Sequence, residues 1–104
     1  MGTFVKVAEV GSIPENEGIV ATIKGRQIAV FNQGGNYYAT DDTCPHQGGS
    51  LGQGDIEGDD VVCPWHDWKF NIKTGDSHEI PGYKIDTITV KVEGKDILLE
   101  VTWV

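Results

Sequence analysis

Apolar residues along this chain recur in short bursts separated by glycine, with no spacing of the helical kind sustained over a long window. Ile19-Val20-Ala21-Thr22-Ile23 and Gln27-Ile28-Ala29-Val30-Phe31 flank Lys24-Gly25-Arg26, which predicts two strands joined by a tight turn. Gly34-Gly35-Asn36 then separates Phe31 from Tyr37-Tyr38-Ala39, a second hairpin signal. From Ile85 to Val92 apolar and polar positions alternate, Glu93-Gly94-Lys95 turns the chain, and Asp96-Ile97-Leu98-Leu99-Glu100-Val101 follows. Fourteen glycines and runs of Val, Ile, Thr and aromatic residues complete the texture of an all-β protein. No repeat or low-complexity tract interrupts it.

The middle of the chain reads differently. Thr43 to Gly54 holds five glycine or proline positions and little apolar content, which predicts a loop. A short strand is expected around Asp55-Ile56-Glu57. Val61-Val62 begins another, Cys63-Pro64-Trp65-His66-Asp67 interrupts it, and Trp68-Lys69-Phe70-Asn71-Ile72 resumes before a turn at Lys73-Thr74-Gly75-Asp76. Both cysteines and two of the three histidines therefore fall on two loops of a β scaffold.

Length narrows the organisation. At 104 residues the expectation is one domain, 1–104, able to bury a core without disulfide staples. Neither a membrane span nor a signal peptide is legible, which leads to the expectation of a cytoplasmic chain. A net charge of −8 argues against nucleic acid and anionic membrane as partners, because both demand clustered Lys and Arg. Seven acids lie between Asp41 and Asp67 without one Lys or Arg: Asp41, Asp42, Asp55, Glu57, Asp59, Asp60 and Asp67. They form either a solvated surface or a face that draws in a basic partner.

The candidate chemistry lies in Cys44-Pro45-His46 and Cys63-Pro64-Trp65-His66, each arm supplying one thiolate and one imidazole. Pro45 and Pro64 fix a backbone dihedral beside each cysteine, and glycines 48, 49, 52 and 54 permit close backbone approach. These traits suit a metal cage. A Cys44–Cys63 disulfide, two incidental buried cysteines, a structural zinc and a catalytic cysteine with a histidine base are the competing readings. Zinc sites more often pair Cys with Cys and His with His. His78 lies outside both arms and reads as solvent-facing. Trp65 is expected to pack on its loop, and Trp68, Phe70 and Trp103 to lie in the core or on a sheet face.

Cys-x-His, sixteen residues, then Cys-x-x-His resembles the ligand motif of Rieske proteins, in which two histidines replace two cysteines on one iron of a [2Fe–2S] cluster. The resemblance covers most of the chain. It implies an all-β, Rieske-type antiparallel β-sandwich with a cluster-binding subdomain formed by two loops, approximately residues 43–82. By the same resemblance, Cys44 and Cys63 would hold an inner iron and His46 and His66 an outer, more exposed one. Pro81, in Glu79-Ile80-Pro81-Gly82-Tyr83, would belong to a third loop covering the cluster. Rieske subunits of cytochrome bc complexes carry two further cysteines that bridge the loops; here those positions are Gly49 and Trp65. Those relatives also place Ser two residues and Tyr four residues after the second histidine, where this chain has Trp68 and Phe70.

The sequence is more similar to Rieske ferredoxins that serve aromatic-ring-hydroxylating oxygenases. That implies a monomeric one-electron carrier, itself not an enzyme, passing electrons from a reductase to an oxygenase through the exposed histidine-ligand face. The Rieske-like small subunit of an NAD(P)H nitrite reductase is the alternative within redox chemistry. A zinc-binding interaction module is the alternative outside it.

Overall fold

A computed structural model describes residues 2–43, 49–64, 68–78, 82 and 84–103. Their strands, in chain order, are β1 (Thr3–Glu9), β2 (Glu17–Ile23), β3 (Arg26–Gln33), β4 (Asn36–Asp41), β5 (Asp55–Glu57), β6 (Asp60–Val62), β7 (Lys69–Asn71), β8 (Thr87–Ile88), β9 (Val90–Glu93) and β10 (Asp96–Val101). A single 3₁₀ turn at Leu51–Gln53 is the one helical element among them. No helix of the described residues is long and apolar enough to cross a membrane.

The strands make three antiparallel sheets, ordered β1-β10-β9, β2-β3-β4-β8 and β5-β6-β7. The tight hairpins follow from local chemistry. Lys24 and Gly25 between β2 and β3, and Gly34 and Gly35 between β3 and β4, all have positive φ, the conformation such turns require. The expected antiparallel β-sandwich is formed by the first two sheets.

The arrangement turns on β3. Its run Ile28-Ala29-Val30-Phe31 is fully buried, so both faces of the strand are covered. Ile28 and Val30 join Ile13, Ile23, Ala39, Ile97, Leu99 and Val101 in the core between the two larger sheets. Ala29 and Phe31 point the other way, into a second core with Leu51, Val61, Cys63, Phe70, Ile72 and Ile85. The alternation of side chains along one strand thus fastens the small β5–β7 sheet to the sandwich.

Two elements depart from the sequence pattern. β1 was not marked by turns or alternation; it forms by pairing with β10, from Thr3↔Val101 to Glu9↔Asp96, with a β-bulge at Val7. The alternating run from Ile85 to Val92 is divided: β8 pairs with β4 and β9 with β10, so the chain changes sheets at Thr89.

Candidate metal centre

The first arm leaves β4 through a neck built on Asp42. An antiparallel bridge joins Thr43 to Ser50, and the Leu51 amide donates to the Asp42 carbonyl at 2.7 Å. The Asp42 side chain is 2% exposed. It accepts the Ser50 hydroxyl at 2.9 and 3.0 Å on its two oxygens and the Gly52 amide at 2.8 Å. Leu51 is buried in the same core as Cys63.

The second arm interrupts the β6–β7 hairpin. Its base is a backbone closure: the Cys63 amide donates to the Trp68 carbonyl at 2.7 Å, directly after the Val62↔Lys69 ladder pair. Cys63 is fully buried, among Leu51, Val61 and Phe70. Gly54 brings the exit of the first arm against the entry of the second. A Cβ there would stand 2.1 Å from the Val62 carbonyl oxygen, closer than any side chain allows.

A third segment returns to the same small sheet. Asp76 bridges Lys84, the Ile85 amide donates to the Gly75 carbonyl at 2.9 Å, and Ser77 bridges Phe70. The His78 amide reaches the Lys69 carbonyl at 3.0 Å, and its Nε2 lies 2.7 Å from Asp60 Oδ1. His78 is exposed, as its sequence context suggested, and Asp60 engages it.

Of the four ligand candidates, Cys63 is among the described residues; Cys44, His46 and His66 lie outside them. So do Trp65, Asp67 and the Pro81 assignment. Phe70 is in the core, Trp68 packs against it, and Trp103 covers the edge of the sandwich core, as expected. The bases of both arms converge on one apolar core that includes the fully buried Cys63. That environment suits an iron–sulfur group, which needs thiolate ligands and exclusion of water to set its potential.

Four of the described acids of the run have partners in space. Asp41 pairs with Arg26 at 2.6 Å, Glu57 with Lys69 at 3.2 Å, Asp59 with Lys73 at 3.3 Å and Asp60 with His78. Asp42, counted with them, is a buried structural acceptor. The partners Arg26, Lys69, Lys73 and His78 all lie outside Asp41–Asp67 in sequence, so the linear pattern concealed them.

Comparison with known proteins agrees with this architecture. The family model of the Rieske [2Fe-2S] domain matches residues 3–99. The chain is 32% identical over 100 residues to the biphenyl dioxygenase ferredoxin subunit of Pseudomonas sp. (strain KKS102), covering 94% of this chain and 92% of that one. It is also 32% identical over 91 residues to the ferredoxin component of the naphthalene 1,2-dioxygenase system of Pseudomonas aeruginosa, covering 86% and 88%. Among solved structures, the complex of reduced oxygenase and oxidized ferredoxin in carbazole 1,9a-dioxygenase contains a chain similar at 27% identity. The TM-score is 0.87, over 96% of this chain and 94% of that one.

Proposed function

This chain belongs to the Rieske [2Fe–2S] domain family, and from that premise we propose that it carries single electrons from a reductase to a ring-hydroxylating oxygenase. The observation that carries the reading is its similarity, over nearly the whole of both chains, to the biphenyl dioxygenase ferredoxin subunit. Its cofactor is one [2Fe–2S] cluster. When bound, that group supplies a reversible one-electron couple whose reduced form carries one more negative charge.

The chain's own residues then have three tasks. Cys44 and Cys63 would hold one iron as thiolates, and His46 and His66 would hold the other through imidazole nitrogen. Buried Cys63, with Val61, Phe70 and Leu51 around it, keeps water from the inner side. The histidine-bearing arms would form the contact face, since the family pattern places the histidine ligands on the solvent side of the group they would hold. Complexes of this kind bury less than about 1,200 Å² and separate quickly. The protein acts as a cytoplasmic monomer.

Metal and sulfide analysis tests the ligand set: two irons and two acid-labile sulfides per chain are expected. Cys44→Ala, His46→Ala, Cys63→Ala and His66→Ala should each abolish or destabilise the visible spectrum. One zinc per chain without labile sulfide would refute the assignment. For the carrier role, the purified monomer should accept an electron from a flavin reductase and deliver it to an oxygenase. Stable co-purification with a large flavo- or haem protein would instead make it a fixed subunit.

A further inference from the structure

We infer that His78, clasped to Asp60, is a redox-linked proton site. It binds a proton more tightly when the cluster is reduced, and so makes the reduction potential fall as pH rises between about 5 and 8. The inference rests on the ligand assignment proposed above. The chain has three histidines. With His46 and His66 on iron, His78 is the one outside the ligand set.

Its place follows from the register of the small sheet. Val61 pairs with Phe70, and Phe70 bridges Ser77; all three are buried. Alternation puts the residues beside them on the opposite face. There Val62 stands opposite Lys69, and the His78 amide on the Lys69 carbonyl at 3.0 Å continues the row. The imidazole leans along this face until its Nε2 lies 2.7 Å from Asp60 Oδ1. Asp60 precedes Cys63 by three residues, about 10 Å of extended chain at about 3.3 Å each.

The pair fixes both the tautomer and the place of the charge. An ionised carboxylate only accepts, so Nε2 carries the hydrogen and a second proton adds at Nδ1. The side chain is 51% exposed, and that proton comes from solvent. The other described charged groups around it are Lys69, ion-paired with Glu57 at 3.2 Å, and Asp76 on its own segment, bridged to Lys84. Carboxyl and amino side chains ordinarily change charge outside pH 5 to 8, so histidine sets how the charge of this face varies within it.

Reduction places one electron, and one more negative charge, on the group that Cys63 ligates. Unit charges about 10 Å apart change each other's equilibria about twofold in water and about fifteenfold at an effective dielectric of about 20. A ring this exposed belongs near the weaker end. Proton binding about threefold tighter in the reduced protein is expected, and linkage makes the effect reciprocal. Protonated His78 then raises the potential by about 28 mV over neutral His78, at roughly 59 mV per tenfold for one electron.

Protein-film voltammetry of the cluster-loaded protein from pH 5 to 8 tests this, with proton uptake on reduction read by an indicator dye in unbuffered solution. In the wild type the potential should fall by about 28 mV across that range. Reduction near the middle of the step should take up about a quarter of a proton per electron. His78→Gln, neutral throughout, should be flat at the alkaline-side value. His78→Lys, charged throughout, should be flat at the acid-side value, and it serves if the glutamine variant loses its cluster. Neither variant should take up protons. A merely structural role predicts that both variants keep the wild-type step, or that both move the potential by the same amount; either result overturns the proposal. A wild type with no step between pH 5 and 8 overturns it too. A Cys63→Ala protein that keeps wild-type iron content and spectrum would instead refute the ligand assignment.

Discussion

The guanidinium of Arg26 sits 4.6 Å from the centre of the Trp103 ring. Arg26 also donates through Nε and Nη2 to Asp41 Oδ1 at 2.8 and 2.6 Å, and the Trp103 indole donates to the Ile23 carbonyl at 3.0 Å. One side chain on β3 therefore joins the second residue after the last strand to the residue preceding Asp42. Stacking and a planar fork are properties of arginine that lysine does not reproduce.

Removing that side chain should loosen the sandwich edge and the neck of the first arm together. Arg26→Ala is expected to cost about 1–3 kcal/mol, combining a cation–π contact with hydrogen bonds to a charged group. Arg26→Lys should recover less than half of the loss. Denaturant unfolding of the three proteins measures this; a lysine variant as stable as the wild type would deny any role to the fork and the stack.

The reduction potential should be low for a Rieske centre. Ser and Tyr hydroxyls of respiratory relatives resemble donors to cluster sulfur, which favour the electron-rich reduced state. Phe70, at the tyrosine position, has no donor and is fully buried in the core with Cys63. Rieske potentials span roughly −150 to +300 mV, and the lower part of that range is expected here. If half of a charge-assisted bond worth about 1.5–3 kcal/mol distinguishes the redox states, Phe70→Tyr raises the potential by about 30–65 mV. Protein-film voltammetry at one pH compares the two. A wild-type value well above zero would show that the missing donors do not matter.

Acid should weaken the β5–β6 turn. Gln33 donates a hydrogen bond to Asp59, and Lys73 lies 3.3 Å from it; in that order, these hold the Asp59 carboxyl below its ordinary 3.8. A lowered folded-state value means the contribution is fully present above the unfolded value and disappears as pH falls through the folded one. Asp59 is solvent-exposed, so the effect is small and screened by salt. Asp59→Asn should lower stability at neutral pH and shallow the acid limb below the ordinary carboxylate range, measured by urea unfolding at stepped pH. Identical acid limbs in the two proteins would assign acid unfolding to other carboxyls.

What the sequence disclosed was mostly what neighbouring residues decide. The β2–β3 and β3–β4 turns are written in Lys24-Gly25 and Gly34-Gly35, and β5, β6 and β7 fall where short apolar runs placed them. β1 went unread because no turn signal pairs Thr3–Glu9 with a neighbouring segment; its partner is at Asp96–Val101. The switch at Thr89 was hidden because alternation is the same in either sheet. The Cys63–His66 spacing marked a candidate arm, and the structure places Cys63 in the core. Asp42 was read as one more surface acid, since its burial depends on Ser50 and Gly52 folding back over it.

The pairing of β1 with β10 has a consequence for the order in which the molecule assembles. It joins strands separated by almost the whole described chain, whereas β5, β6 and β7 form a meander between Asp55 and Asn71. Closing a long loop costs more entropy than closing a short one, and pairings distant in sequence form late. The meander that presents Cys63 can fold while β10 is still unmade, so the thiolate's scaffold precedes the sandwich that later supports it. In refolding followed by pulsed hydrogen exchange, the amides of Val61 and Phe70 should gain protection before those of Val5 and Leu99. Simultaneous protection would mean instead that the cofactor-bearing meander acquires its shape only with the completed sandwich.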